Sequence, residues 1–223
     1  MSKIKRLAEV GVMVALTVAM SACGAPAPRG GAEATSSAPP PASTGHSDGV
    51  TTPAEAFGPM CAQLPQGPVS GSLTGMQSRP VATAAAANPE LATLTSVLKS
   101  AGMVEQLNQE KTITMLAPYN AAFDEFKRML GEQRFDALLQ NKDALGNILK
   151  YHVIARRYDR VGLVQDERGL ATLAGGTLKF QNADEVLTVT DGAGQVAHVL
   201  CGNIPTANAT VFIIDKVLMP QKS

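Results

Sequence analysis

The chain has 223 residues, which is enough for one hydrophobic core of ordinary size or for two small ones. It carries 19 basic and 19 acidic side chains, so its net charge offers no electrostatic case for binding nucleic acid. Only 4% of the residues are aromatic and tryptophan is absent, which argues against base-stacking platforms and against clefts that stack on carbohydrate rings.

The start of the chain has the outline of a secretory signal peptide. Lys3, Lys5 and Arg6 give a positively charged beginning, and an apolar run follows at residues 10–19. That run is shorter than the ~20 apolar residues that a membrane-spanning helix needs. We therefore predict that residues 1–22 direct export and are then removed.

Residues 20–23, Met-Ser-Ala-Cys, resemble a bacterial lipobox. In that pattern Cys23 receives a diacylglycerol on its sulfur and becomes the first residue of the exported protein. Met20 stands where leucine is usual, and it still suits an apolar subsite. Two or three acyl chains hold a protein stably on a bilayer, whereas one chain binds only marginally. We expect a protein that is anchored in the cell membrane through lipid on Cys23 and faces the exterior, with some of it shed or secreted. The alternative is ordinary cleavage after Ala22, which would leave Cys23 as a free thiol.

A tether is predicted at residues 23–54, where proline, alanine, glycine, serine and threonine dominate and large apolar residues are almost absent. Such a segment cannot bury enough apolar surface to offset the entropy that it would lose on ordering. We therefore expect the tether to be disordered, with the folded domain at residues 55–223. Its serine and threonine residues near proline are typical of an O-glycosylated stalk, and an unmodified linker is the alternative.

Cys61 and Cys201 are the only cysteines that remain once Cys23 is lipidated. In an exported protein an even pair implies a disulfide. Closing this loop of about 140 residues stabilises a fold by ~4 to 5 kcal/mol in the chain-entropy model. A metal site is disfavoured, because no second cysteine or histidine stands at ligand spacing beside either residue.

The clearest helix signal lies at residues 88–102. Asn88 can cap the helix, Pro89 fits its first position and Gly102 suits its end. Leucine residues recur on one face of the pattern, so this helix should pack against a core.

A buried strand followed by a capped helix is predicted at residues 113–126. The first four residues are apolar or β-branched, and Pro118 cannot donate to a central strand ladder, so the strand should stop there. The side chain of Asn120 can accept from the first amides of the next helix. Phe123 and Phe126 then fall on one core-facing side of that helix.

Further along, helices are predicted at residues 135–139 and 143–152, the second capped by Asp143. Short apolar runs broken by glycine follow, with hairpin turns at residues 174–176 and 191–194. Helices first and β-hairpins later indicate an α+β domain. No internal repeat of about 20 to 50 residues is apparent, so we expect a single domain.

Three stretches together resemble the signatures of the fasciclin-like (FAS1) domain family. They are a strand followed by Ala-Pro-x-Asn-x-Ala-Phe, a tyrosine-histidine segment at residues 148–154, and a closing strand ending in Val-Leu-x-Pro at residues 209–220. Every fixed position of the first signature is present: Ala117, Pro118, Asn120, Ala122 and Phe123. The match spans about residues 80–220 and is similar in detail to the mycobacterial cell-surface lipoprotein antigens and their secreted relatives. The resemblance implies a single wedge-shaped β-sandwich with several helices packed on it.

The resemblance also carries expectations about sites. In animal relatives the tyrosine-histidine segment contacts integrins, which makes Tyr151 and His152 a candidate adhesion surface. The residues themselves favour another interpretation, because His152 lies on an apolar helical stripe without an acidic neighbour and would be a packed core histidine. The related surface antigens point to Thr51 and Thr52 as sites of O-glycosylation.

No nucleophile elbow, phosphate-binding loop, dinucleotide fingerprint or zinc-spaced cluster appears in the exported sequence, so neither an enzyme nor a cofactor is expected. We predict a monomeric adhesion or interaction module that binds proteins or glycans on host or matrix surfaces, or envelope macromolecules, with no nucleic-acid partner. The alternative is an envelope lipid or small-molecule binder with an apolar cavity between the sandwich and its helices. Four methionines are candidates to line that cavity, although methionines at these spacings are more often core filler: Met103, Met115, Met129 and Met219. A third hypothesis assigns the activity to the acyl group and tether alone, recognised by host lipoprotein receptors.

Overall fold

The computed structural model describes residues 48–183 and 186–221, all within one compact unit, Ala42–Ser223. The predicted signal peptide, Cys23 and most of the predicted tether lie outside the described residues. Eight helices and seven strands occur within the described ranges. The helices are α1 (Leu73–Gln77), α2 (Val81–Ala86), α3 (Ala92–Ser100), α4 (Val104–Gln109), α5 (Asn120–Leu130), α6 (Glu132–Gln140), α7 (Lys142–Tyr151) and α8 (Arg160–Val164). The strands are β1 (Ile113–Pro118), β2 (Val153–Ile154), β3 (Leu170–Ala171), β4 (Thr177–Ala183), β5 (Val186–Thr190), β6 (Val196–Pro205) and β7 (Ala209–Ile214).

The strands form one mixed sheet in the order β2-β1-β7-β6-β5-β4-β3. β1 and β7 run parallel, and all other neighbours run antiparallel. A bridge between Ile154 and Thr172 brings the two ends of the sheet together, which gives it a barrel-like form. The predicted α+β class and FAS1-type fold are confirmed, with one curled sheet where the family resemblance implied a two-layered sandwich.

Both faces of the β1/β7 pair are buried, which explains why these two strands are apolar along their whole length. In β1, Ile113 and Met115 belong to a core beneath the helices, while Leu116 belongs to a second core inside the curled sheet. In β7, Val211 and Phe212 are divided in the same way. The pair therefore separates two hydrophobic cores and supports both.

Asn120 has a different role from the predicted one. The strand and helix expected at residues 113–126 are present as β1 and α5, but the Asn120 side chain does not cap its own helix. Its Oδ1 accepts from the Thr93 amide at 3.0 Å, and its Nδ2 donates to the Pro89 carbonyl at 2.8 Å. Asn120 thus caps the start of α3 from across the structure.

Asn208 joins three elements from a buried position just before β7. Its Oδ1 accepts from the amide of Val81, the first residue of α2, at 2.8 Å. Its Nδ2 donates to the carbonyls of Leu107 at 2.8 Å and Glu110 at 2.7 Å, in and after α4. Both ends of this amide are therefore satisfied by backbone groups that lie about a hundred residues earlier in the chain.

The other predicted helices are present with shifted starts. The helix expected at residues 88–102 opens as a 3₁₀ turn, Pro89–Leu91, capped by Asn88 as predicted, and continues as α3. At α7 the cap is Asn141 rather than Asp143. Both caps accept a backbone amide in the first turn, the usual role of asparagine at a helix start.

Residues 48–64 form an N-terminal strap that lies along β6 and reaches the start of β7. The Gly49 carbonyl accepts from the Thr210 hydroxyl at 2.7 Å. Phe57 and Gly202 exchange two backbone hydrogen bonds, with N···O distances of 3.2 and 2.8 Å. The strap therefore adds a short paired segment to the edge of β6.

The strap is also joined to the sheet covalently. The predicted disulfide between Cys61 and Cys201 is present and links the strap to β6. The sequence assigned residues 48–54 to the disordered tether, and this assignment is wrong because Gly49 is buried and Pro53–Glu55 forms a 3₁₀ turn. These residues belong to the folded domain.

Candidate functional site

Tyr151 and His152 lie where α7 ends and the chain turns into β2. Their side chains are 1% and 2% exposed. The candidate adhesion surface on these two residues is therefore wrong, because an outside partner cannot touch either side chain. The helical stripe that includes Leu145 and Leu149 continues to His152, while Tyr151 belongs to the second core, inside the curled sheet.

Each ring nitrogen of His152 has a backbone partner. Nδ1 lies 2.8 Å from the Ile148 carbonyl oxygen, and Nε2 lies 2.9 Å from the Leu218 amide nitrogen. Because a carbonyl only accepts and an amide N–H only donates, the ring is neutral with its proton on Nδ1. Burial lowers the pKa of His152 to about 4, against smaller opposing effects of the Ile148 hydrogen bond and the Asp191 charge. The ring holds the C-terminal segment and is not placed to transfer protons to a ligand.

The Tyr151 hydroxyl and the Asp191 carboxylate connect the same region to neighbouring turns. The Tyr151 oxygen accepts from the Gly192 amide at 2.7 Å and donates to the Thr177 carbonyl at 3.2 Å, while burial raises the pKa of this tyrosine. Asp191 accepts two amides of its own turn on Oδ1 and the Met219 amide on Oδ2, the last at 2.8 Å. The tyrosine-histidine segment is therefore a buried hydrogen-bonded junction that connects α7 to two hairpins and to the segment after β7.

An apolar crevice lies where α3, α5, α6 and α7 meet, at the C-terminal end of β1. Every lining side chain is hydrocarbon except that of His152, whose two nitrogens are already bonded. The free volume is about 20 Å³, room for about one water molecule. The lining includes Phe123 and Phe126 of α5, Phe135 and Leu138 of α6, and Leu149 of α7.

The predicted methionine lining is wrong for this crevice. Met103 and Met115 are buried elsewhere in the core, Met129 is 59% exposed, and Met219 packs at the edge of the core. None of these four side chains lines the crevice. The lining comes from the apolar stripes of the helices, which were visible in the sequence as core-facing positions but not as the walls of one space.

A second, open cleft of about 900 Å³ lies beside the strap. Gly49 lines one side, and the segment 156–168 lines the other. Arg157 is buried beside this cleft. Its Nε donates to Thr210 Oγ1 at 3.2 Å, and its Nη2 donates to the carbonyls of Thr206 and Ala209. Burial lowers the pKa of this arginine. The other charged residues of the cleft are of both signs, so it favours no ligand of one charge: Arg156 and Arg168 against Asp159, Asp166 and Glu167.

Thr51 and Thr52, the expected O-glycosylation sites, have different surroundings in the strap. Thr51 is 1% exposed, and its hydroxyl has no hydrogen-bond partner among the described residues. A glycan there would displace the strap, so the expectation is wrong for Thr51. Thr52 is exposed, with its Oγ1 donating to Glu55 Oε2 at 2.8 Å, and its glycosylation stays a prediction.

His198 and Asp215 form an exposed pair between β6 and the end of β7. His198 Nδ1 lies 2.8 Å from Asp215 Oδ2, and the His198 amide donates to Oδ1 at 2.7 Å. No group of three or more His, Cys, Asp or Glu side chains within residues 48–183 and 186–221 is placed to hold a metal ion. In the same part of the chain, no helix has the length and apolar character needed to cross a bilayer.

Comparison with known proteins decides the family. The model of the fasciclin domain family matches residues 89–220, more than half of the chain. The chain belongs to the fasciclin family. This fasciclin domain protein is 38% identical over 189 residues to the immunogenic protein MPB70 of Mycobacterium bovis, covering 77% of this chain and 87% of MPB70. It is 41% identical over 164 residues to the cell surface glycolipoprotein MPB83 of Mycobacterium bovis, covering 71% of this chain and 68% of MPB83.

More distant similarity extends beyond mycobacteria. Protein sll1483 of Synechocystis is 32% identical over 136 residues, covering 61% of this chain and 71% of that protein. A solved FAS1 domain pair from the insect cell adhesion molecule Fasciclin I matches with a TM-score of 0.56 at 16% identity, covering 66% of this chain and 53% of that one. The chain thus spans about half of the domain pair, and this likeness shows the fold alone. The names of the mycobacterial relatives support an extracellular or cell-surface location for this fasciclin protein, and none of the names is that of an enzyme.

Proposed function

We propose that this fasciclin protein is a membrane-anchored interaction module on a bacterial cell surface, binding host or envelope macromolecules without catalysis. Its relatives support the proposal, since one is named a cell surface glycolipoprotein and another an immunogenic protein. The predicted export signal ending at Cys23 supports the anchor. The tether that follows Cys23 would leave the folded domain free to meet partners.

The observation that carries the proposal is the place where the strap meets the fold. Gly49 is bonded to Thr210 at the start of β7, and β1 runs parallel to that strand. The strands advance by ~3.3 Å per residue, so the far end of the pair, at Ile214 four residues on, lies about 13 Å away. Because the strap joins the fold beside the start of β7, the Ile214 end of the pair, with the start of α5, is the end that the attached chain obstructs least. We expect partners to meet this distal end.

The anchor is tested by replacing Cys23 with alanine. Wild-type protein should take up labelled palmitate and fractionate with membranes, while Cys23→Ala should be released in soluble form. Globomycin, which blocks lipoprotein signal peptidase, should make the wild-type precursor accumulate. Normal processing of the precursor in the presence of globomycin would contradict lipid anchoring through Cys23.

Binding is tested with the released Cys23→Ala protein on host cells, matrix proteins and isolated envelope. We expect saturable binding that is lost when the disulfide is reduced. Asp124→Arg, on α5, should weaken binding. Glu105→Arg, the same charge change at an exposed position of α4 near the start of β7, should not. Absence of saturable binding contradicts the function, and an equal loss in both variants contradicts the distal face.

A second candidate function, binding of an envelope lipid or small molecule, is favoured by the apolar crevice. Its walls present no unbonded polar atom, so they suit an apolar ligand. Native mass spectrometry of protein isolated from its own cells tests this function. A co-purifying lipid mass would support it, and a bare protein mass would count against it.

A further inference from the structure

We propose that α6 is a hinged cover over a binding site for one alkyl chain, as carried by a fatty acid or by a membrane lipid. This inference rests on the second candidate function and adds to it the place of the site, the class of ligand and the part that moves. The site is the crevice between α3, α5, α6 and α7.

The lining of the crevice selects hydrocarbon. A peptide segment would bring N–H and C=O groups that need partners inside, and burying them without partners is costly. The one polar side chain in the lining is His152, and Ile148 and Leu218 already occupy its two nitrogens. An alkyl chain brings no polar atom into the site, and its polar end would stay at the mouth in water.

α6 covers the crevice without being part of the core. No residue of α6 is buried, although Phe135, Leu138 and Leu139 face the crevice. Across the same space α5 buries Phe123 and Phe126. Moving α6 outward therefore exposes three half-covered side chains and leaves the buried side of the crevice in place.

Single residues join α6 to its neighbours on both sides. Gly131 separates it from α5 and has φ 81°, with no atom within 4 Å of the position that a Cβ would take. Asn141 separates it from α7 and is extended, with φ −94° and ψ 91°. The Lys127–Glu132 ion pair spans the first joint at 2.9 Å, and its side chains are 41% and 77% exposed, so it restrains the joint little. The Gly131 joint therefore has room to turn, whereas the Asn141 side chain caps α7 by accepting from the Ala144 amide at 3.0 Å and holds the second joint in place. We expect α6 to swing outward from its Gly131 end.

The closed crevice is too small for the ligand. Its free volume of about 20 Å³ holds about one water molecule, so a chain of several methylene groups can enter only when α6 moves away. The edge-on contact between Phe126 and Phe135, with ring centroids 6.2 Å apart, would then be replaced by contacts of each ring with the chain. Binding and movement of α6 should therefore occur together.

The test uses dodecanoate as the fatty-acid probe and a lysophospholipid with the same acyl chain as the lipid probe. Leu138→Trp replaces a crevice-lining side chain by the larger indole ring, and Ala137→Trp places the same ring on the exposed side of the same helix. Three proteins are compared by calorimetric titration: the released Cys23→Ala parent, the parent with Leu138→Trp, and the parent with Ala137→Trp. The titration measures the affinity and stoichiometry of each probe, with the probe kept below its critical micelle concentration. The native chain has no tryptophan, so emission from the single introduced indole in each variant also reports the state of α6.

We expect one dodecanoate per chain in the parent protein and in Ala137→Trp, and at least tenfold weaker binding in Leu138→Trp. Lysophospholipid binding with the same variant pattern would identify lipids as a source, and binding of dodecanoate alone would restrict the site to free acids. Equal affinity in both variants, or no saturable binding in the parent protein, would overturn the inference. Where Leu138→Trp melts far below the parent, amide hydrogen exchange of the parent replaces it: dodecanoate should change exchange in α6, and a change confined to other elements overturns the inference.

The titration is independent of the functional assays. Dodecanoate binding without any co-purifying lipid would support the alkyl-chain site and contradict the envelope-lipid function. A co-purifying lipid that does not compete with dodecanoate would support the envelope-lipid function and contradict the crevice as its binding site. Adhesion is measured on surfaces and is affected by neither result.

Discussion

Acidification should destabilise the domain through His152. The pKa of this ring is about 4 in the fold, against 6.5 for an ordinary histidine, because burial disfavours the charged form. Between these two values the unfolded state binds more protons than the native state, so the free energy of unfolding falls as the pH is lowered. The stabilisation is complete above about pH 6.5 and is lost by about pH 4.

The size of the effect follows from the two pKa values. Each pH unit between them costs ~1.4 kcal/mol, so protonation of the native ring costs about 3 kcal/mol. The cause is visible in the contacts: a protonated Nε2 would point a hydrogen at the Leu218 amide hydrogen. The charge would also be buried without a carboxylate bonded to the ring.

Urea denaturation of the wild type and of His152→Gln at pH 7, 6, 5 and 4 measures this effect. The stability advantage of the wild type over the variant should shrink by about 3 kcal/mol between pH 7 and pH 4. The ring proton signal of His152 in the native wild type should also stay constant from pH 7 to pH 5. Parallel stability profiles for the two proteins, or a ring that titrates near pH 6.5, would refute the reasoning.

Four further variants test the packing of the domain by the free energy of unfolding. Replacing both Cys61 and Cys201 by alanine should lower the free energy of unfolding by up to about 5 kcal/mol relative to the oxidised wild type. Relative to the reduced wild type, the variant should show no loss. Equal stability of the variant and the oxidised wild type would show that the disulfide does not restrict the unfolded chain. Thr51→Val should change stability by less than ~0.5 kcal/mol or raise it, because the buried hydroxyl has no partner among the described residues; a loss above ~1 kcal/mol would mean that it is hydrogen-bonded in solution. Asn208→Ala should cost ~3 kcal/mol and Asn120→Ala ~1 kcal/mol, since only Asn208 is buried with three backbone partners, and equal losses would contradict that ranking.

The elements of this fold are predictable where the deciding contacts are local. The strand and helix at residues 113–126 follow from β-branched residues, a proline stop and an apolar stripe, all within fourteen consecutive residues. The role of Asn120 is not predictable in this way, because its partners Thr93 and Pro89 are 27 and 31 residues away. A cap on its own helix and a cap on another helix have the same local sequence.

The site shows a similar division. The apolar stripe of α7 indicates that His152 is buried, whereas the family resemblance pointed to a contact surface; the structure places the ring inside. A family signature can reflect what a fold needs as well as what a partner touches. An apolar cavity beside the helices was expected, but its walls were not predictable, because they depend on how four helices converge. The stripe of Phe135 and Leu138 also does not reveal that α6 remains only half covered.

The disulfide has a mechanical consequence for a domain held by its N-terminus. A pulling force applied at Asp48 would first detach the strap contacts of Gly49 and Phe57, extending the chain by at most ~3.5 Å per residue. It would then reach the covalent link at Cys61 and pass directly into β6, a central strand of the sheet. Tension between the N-terminus and the C-terminal end of the chain would therefore bypass the closed loop of residues between Cys61 and Cys201, so that loop would stay out of the path of the force while the strap is stripped away.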